Sequence, residues 1–193
     1  MKSIVVFCGS GEGYHEVYKE TAYQLGAILA ERGYDLVYGG ARIGIMGAVA
    51  DGALQNGGKV TGVLPHFLRT REVAHEHLSE MILVDTMHER KLKMHELSDG
   101  IIALPGGWGT MEELFEMMTW AQLGLHRKPI GILNTHCFYE PLLALLHNMT
   151  EEGFLKELYR EMVLVSEDIF ELLEKMENYT APELPRWISP KTS

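Results

Sequence analysis

Gly100-Ile101-Ile102-Ala103-Leu104-Pro105-Gly106-Gly107-Trp108-Gly109-Thr110-Met111-Glu112-Glu113 is the stretch that decides how this chain is read. Its first five residues are short and apolar, as a fully buried strand is, and beyond the turn Met111, Leu114, Phe115, Met118 and Ala121 recur at helical spacing. A glycine-rich turn therefore joins a strand to a helix. Gly106, Gly107 and Gly109 let the backbone approach a ligand with no Cβ in the way, and the free N–H groups at a helix start point at an anion. The turn has neither the lysine of a P-loop nor the spacing of the dinucleotide fingerprint, so by itself it specifies an anion or nucleotide site and nothing finer.

The same strand-then-helix alternation extends on both sides. Strands are expected at Ile4 to Phe7, Asp35 to Tyr38, Lys59 to Leu64, Met81 to Val84, Gly100 to Leu104, Pro129 to Leu133 and Met162 to Val165. Helices are expected over His15 to Arg32 (Val17, Leu25, Ile28 and Leu29 on one face, Gly33 as the stop), Ile43 to Gln55, Met87 to Leu97, the segment after Gly109, Phe138 to Gly153 and Glu167 to Glu177. Gly44, Gly47, Ala48 and Gly52 predict that the second helix packs closely on other backbone, or on a ligand at its start. Strict alternation implies an α/β fold: a doubly wound parallel sheet of about seven strands with helices on both faces. Pro65 to Glu80 is an irregular, charged connection of a length that is usually functional or partly helical. The chain reads as one domain over residues 1–179, followed by a tail, residues 180–193, that holds three of the seven prolines and is expected to be loosely docked or disordered.

Composition narrows the class. A net charge of −10 over 193 residues argues against nucleic acid and anionic membrane surfaces as partners, because both need a basic patch. Two cysteines, Cys8 and Cys137, give no disulfide framework and suit a reducing, cytoplasmic setting. Lys2 and the run Ile4 to Phe7 are too short for a signal peptide, and no window approaches the roughly 18 apolar residues of a membrane span.

Three expected strand ends are glycine-rich: Gly9 to Gly13, Gly39-Gly40 and Gly106 to Gly109. In open parallel sheets ligands bind beyond the carboxyl ends of the strands, so the three together point to a nucleotide pocket. Thr86 and Glu89 fit a capping box that places Arg90 and Lys91 in or next to a first helical turn, where two cations oppose the helix dipole and a bound anion or acidic partner would offset them. A solvated surface pair is the blander reading. Thr110 and Glu113 have the same T-x-x-E spacing, which explains Glu113 completely as a helix cap; the functional alternative sets its carboxylate at the ligand end of the helix, with Glu116 close to the same face. His75, Glu76, His77, His88 and His95 match no standard zinc spacing, and no metal or cofactor is expected. Ser10 lacks the G-x-S-x-G surroundings of a hydrolase elbow.

Taken together, Cys8-Gly9-Ser10, Tyr38-Gly39-Gly40 with Gly44-Ile45-Met46-Gly47, Met87-His88-Glu89-Arg90-Lys91 and Pro105 to Glu113 resemble the Lonely Guy family of cytokinin riboside 5′-monophosphate phosphoribohydrolases, often mislabelled as lysine decarboxylases. The chain departs from the family pattern at Gly11, where a second serine is usual, and at Ala41, where a third glycine is usual. The resemblance implies a Rossmann-like fold and a homodimer with active sites near the interface. It also implies hydrolysis of the N-glycosidic bond of adenosine 5′-monophosphates, N6-substituted or not, to free base and ribose 5-phosphate. Carried over by motif, the catalytic residues are Arg90 and Glu113; Gly9, Ser10, Gly39, Gly40, Met87, Lys91, Gly106, Gly107, Gly109, Thr110 and Glu116 are expected to bind substrate. Two alternatives stay open: a broader nucleotide 5′-monophosphate nucleosidase, and a non-catalytic nucleotide carrier of the same fold.

Overall fold

The computed structural model describes residues 1–69 and 74–183; residues 70–73 of the connection after the third strand, and 184–193 of the expected tail, lie outside the described residues. Seven strands, β1 (Ser3–Phe7), β2 (Asp35–Tyr38), β3 (Val60–Pro65), β4 (Glu80–Val84), β5 (Gly100–Ala103), β6 (Ile130–Leu133) and β7 (Val163–Ser166), form one sheet in the order β4-β3-β2-β1-β5-β6-β7. Every pairing is parallel. The strand order reverses between β1 and β5, which places the topological switch point at the carboxyl ends of these two strands.

Among the described residues the sheet is accompanied by seven α-helices, α1 (Val17–Glu31), α2 (Gly44–Gln55), α3 (Met87–Glu96), α4 (Trp108–Gln122), α5 (Glu140–Glu151) and α6 (Glu157–Arg160) between strands and α7 (Ile169–Glu177) after the last. The alternating side chains of β1 divide the core. Ile4 and Val6 pack with Leu25 and Leu29 of α1, Val49 of α2 and Leu172 of α7, whereas Val5 and Phe7 pack with Met94 of α3 and Leu114 and Met117 of α4. Helices thus cover both faces of a sheet whose inner strands are predominantly apolar, as suits a parallel sheet.

The small residues of α2 serve close backbone contact. A Cβ on Gly26 would lie 2.0 Å from the carbonyl oxygen of Val49, and one on Gly52 would lie 2.0 Å from that of Tyr23, so α1 and α2 meet through glycine on each side. The start of α2 is closed in the same way. Gly44, at φ +62°, abuts the Ser10 carbonyl, and the N–H groups of Ile45 and Met46 donate to Gly11 and Gly9. The close packing on backbone expected for this helix is thus observed.

The expected elements differ from the observed ones in two places. The helix expected over Phe138 to Gly153 is preceded by a separate 3-10 turn, Thr135–Cys137, in which His136 and Cys137 hold positive φ values of 54° and 56°. The short α6 was not expected; it is four residues long and too brief to carry an apolar period.

Candidate active site

Main-chain hydrogen bonds lock the glycine-rich strand ends together at the switch point. Gly9 N donates to Pro105 O (3.1 Å), and Met46 N donates to Gly9 O (3.2 Å). A Cβ on Gly9 would stand 3.2 Å from Gly106 Cα, so the β1 and β5 turns touch only because both are glycine there. Tyr139 reinforces the β5 turn from below, its buried hydroxyl donating to Leu104 O at 2.7 Å. The cavity above these turns is lined by Gly9, Ser10, Gly39, Met87, Arg90, Gly107, Gly109, Thr110 and Glu113 among the expected residues.

Arg90 comes from the first part of α3, which Thr86 caps. Thr86 Oγ1 accepts from Glu89 N (3.1 Å), and the Glu89 carboxylate accepts from Asp85 N (2.9 Å), one residue before the position a standard capping box predicts. Set in this way, the Arg90 side chain runs into the carboxyl end of the sheet, where it is 7% exposed. Its Nε donates to Val63 O and its Nη2 to Gly39 O, each at 3.1 Å, while Nη1 contacts only the Met87 sulfur at 4.0 Å. Gly39 makes room for it: a Cβ there would lie 2.1 Å from Nη2. Among the described residues the hydrogen bonds of Arg90 go only to uncharged atoms, so no carboxylate is hydrogen-bonded to the guanidinium inside the cavity.

Glu113 is the largest departure from spacing-based expectation. The helix cap is Gly107, not Thr110, so α4 begins at Trp108 and the T-x-x-E unit lies inside the helix. Thr110 therefore caps nothing, and its buried hydroxyl has no hydrogen-bond partner. The Glu113 carboxylate, relieved of any capping role, is 8% exposed and faces the cavity. No hydrogen bond or ion pair to it occurs among the described residues. Burial pushes its pKa up to about 7; Arg90 opposes the shift, Glu112 and Glu116 reinforce it, and Lys91 opposes it. A carboxyl poised near neutrality in a cleft, beside a buried cation, is a group able to exchange a proton or face a developing charge.

Lys91 takes the opposite direction from Arg90. It lies outside the cavity lining, and its Nζ donates to Glu112 and, at 3.1 Å, to Glu116, both on α4. Glu116, Gly40 and Gly106 are also absent from the lining. Gly40, at φ +82°, packs against Met81 and Leu64, and Gly106 abuts Thr110, whose Oγ1 would lie 2.1 Å from a Cβ at that position. The cavity includes residues that sequence reasoning did not single out as binding: Val6, Phe7, Cys8, Met46, Trp108 and Glu112. Cys8 and Met46 stood within quoted motifs, but only the meeting of β1, α2 and α4 sets them at one site. Burial, with Glu113 next in effect, pushes the Cys8 thiol far above its ordinary range, so it stays protonated. Of the two departures from the family pattern, Gly11 has open space where a side chain would stand, and Ala41 is fully buried and bridges to Ala74.

Residues 46–176 match the family model described as possible lysine decarboxylase. A probable cytokinin riboside 5′-monophosphate phosphoribohydrolase of Oryza sativa subsp. japonica is 47% identical over 190 residues, covering 98% of this chain and 84% of its own length. A cytokinin riboside 5′-monophosphate phosphoribohydrolase of Arabidopsis thaliana is 45% identical over 178 residues, covering 92% of this chain and 84% of its own length. Among solved structures, the molybdenum cofactor binding protein of Rippkaea orientalis superposes with a TM-score of 0.68 at 23% identity, over 92% of this chain and 96% of that one, a likeness of fold alone.

Proposed function

The chain belongs to the Lonely Guy family of phosphoribohydrolases, and on that premise we propose that it hydrolyses the N-glycosidic bond of adenosine 5′-monophosphates, N6-substituted or not, to free base and ribose 5-phosphate. It is an enzyme acting on a small nucleotide. The observation that carries the site assignment is Glu113: a buried carboxylate with no hydrogen bond among the described residues, sharing one cavity with the buried Arg90 guanidinium.

The 5′-phosphate goes to the start of α4. The N–H groups of Trp108, Gly109 and Thr110 have no acceptor within the helix, the helix dipole favours an anion there, and the unpartnered Thr110 hydroxyl is available to donate. Arg90 Nη1 adds a fixed cation from the other side of the cavity. Cleavage of the ribosyl C–N bond passes through an oxocarbenium-like state, and the ionised Glu113 stabilises positive charge as it forms at the anomeric carbon while orienting the attacking water. The Arg90 guanidinium offers a fixed fork of donors and no acceptor, so it positions and neutralises.

Pyridoxal chemistry, which the words lysine decarboxylase imply, does not fit these residues. A pyridoxal enzyme needs a free lysine in the cavity, whereas the cavity lining contains none and the neighbouring Lys91 is buried in bonds to Glu112 and Glu116. No step is assigned to that group.

A homodimer and a cytoplasmic location belong to the same proposal. Leu145 on α5, Phe154 beyond it and Leu158 on α6 are exposed apolar side chains available for burial by a second copy, and two unpaired cysteines support a reducing compartment. Sedimentation of the purified chain tests the first. For the activity, the protein is incubated with AMP, isopentenyladenosine monophosphate, GMP and pyrimidine monophosphates, and free base and ribose 5-phosphate are measured. Release confined to adenine nucleotides is the expected result; release from all of them makes the protein a general nucleosidase, and tight binding without release makes it a carrier.

A further inference from the structure

Arg90 and Lys91 are adjacent in sequence and about 100° apart around α3, so one points into the cavity and the other toward α4. The Lys91 side chain is 6% exposed and joins two carboxylates, Glu112 and Glu116, set one turn apart on α4 with Glu113 between them in sequence. One cation facing two anions leaves the cluster with a net charge of about −1 when all three are ionised. One oxygen of Glu116 is buried without a partner among the described residues, so Lys91 supplies the contact that holds Glu116, while Glu112 also faces solvent.

We propose that Lys91 is a positioning residue for the reaction: acting through Glu112 and Glu116, it fixes the charge that Glu113 experiences and does not itself contact substrate. This rests on Glu113 as the reacting carboxylate. The charged groups that act on Glu113 come from two neighbouring elements, Arg90 and Lys91 from α3 and Glu112 and Glu116 from α4; Cys8, just beyond β1, stays protonated and adds no charge. Within the cluster, burial pushes the Lys91 ammonium down, but its bonds to Glu112 and Glu116 prevail and raise it, so it stays charged over the working range of pH. Lys91 therefore screens Glu113 from two like charges. Removing the lysine exposes Glu113 to both; removing one of the carboxylates relieves it. The two changes act on Glu113 in opposite directions, which loss of packing alone would not do.

The test is direct titration of Glu113 by ¹³C NMR in protein labelled at glutamate carboxyls, the signal assigned by its loss in Glu113→Gln. Lys91→Met should move the Glu113 midpoint up by about one pH unit, and Glu116→Gln should move it down. Lys91→Arg, which keeps the charge, should leave it close to the unsubstituted protein. If Lys91→Met does not fold, the triple change Lys91→Met, Glu112→Gln, Glu116→Gln stands in for it and should titrate on the same side as Glu116→Gln. The pH profile of kcat/KM for AMP should shift in the same directions. A midpoint that stays put in folded variants, or moves the same way in Lys91→Met and Glu116→Gln, overturns the proposal. So does a Lys91→Met enzyme whose KM rises with its pH profile unchanged, since that marks a substrate contact. Because the NMR readout needs no turnover, absence of base release in the unsubstituted protein would count against the proposed function while leaving this charge relay to be judged on its own.

Discussion

The starts of α3 and α4 carry the same T-x-x-E spacing and use it in opposite ways. In α3 the threonine is the cap and Glu89 is engaged by the N–H of Asp85, so the carboxylate is a structural part. In α4 the glycine three residues earlier takes the cap position, the tetrad falls within the helix, and neither Thr110 nor Glu113 has a side-chain hydrogen-bond partner among the described residues. The two glutamates are the third residue of one helix and the sixth of the other. That shift turns a capping side chain through roughly 300° of helix and aims it at the carboxyl end of the sheet. A capping box is thus defined by where the helix starts, and the glycines that build the turn after β5 also release the glutamate.

The sharpest break between the two helices is expected in turnover. Glu113→Ala or Glu113→Gln should lose base release by roughly a thousandfold or more, whereas Glu89→Gln should stay within about twofold, both read as kcat/KM on AMP. Arg90→Ala should abolish measurable turnover comparably in a folded protein; retained activity in both Glu113 and Arg90 variants would sink the site assignment. Gly39→Ala tests the same geometry from outside α4. Its Cβ would displace Arg90 Nη2, and a displaced guanidinium should cost about a hundredfold in kcat/KM.

Stability gives the next contrast. Folded Glu113 holds its proton up to about pH 7, while an unfolded glutamate releases it near 4.5. Between those values the folded state binds more protons, so the Glu113 contribution is fully present below about pH 4.5 and is lost as pH rises through about 7. Glu113→Gln removes that loss. It should raise stability at pH 8 by up to roughly 3 kcal/mol, and the gain should vanish at pH 4, as read from urea midpoints at the two pH values. Glu89→Gln should show no such gain. A smaller effect is expected at the threonines: Thr86→Ala should cost about 1 kcal/mol as the loss of a cap. Thr110→Val should be close to neutral in stability, because its hydroxyl has no protein partner to lose, and should instead raise KM for AMP with KM for the dephosphorylated nucleoside unchanged.

Much of the fold was legible because the signals are local. β2 is observed over the same residues that its apolar run and flanking glycines predict, and the other strands match to within one residue at each end. The convergence of Gly9, Gly39 and Gly107 on one cavity followed from a general property of parallel sheets and is seen in the structure. What resisted prediction was the partner of each side chain. Met46 and Trp108 line the cavity, yet in the sequence each is only part of a motif, with nothing to mark it as a binding residue. His95 lies near Trp120, His126 and Lys128, and burial lowers its pKa to about 4, a neighbourhood assembled from α3, α4 and the segment before β6.

By itself the sequence determined the alternation of strand and helix, hence a parallel sheet with two covered faces, because hydrophobic period and glycine punctuation act over a few residues. It also determined the family, through four motifs read together. The tertiary structure decided the direction of each charge: Arg90 into the cavity and Lys91 away from it, Glu89 onto its own backbone and Glu113 toward the site. Direction depends on where each helix begins and which neighbour can accept a charged group, and those are properties of the packed elements, not of the spacing between residues.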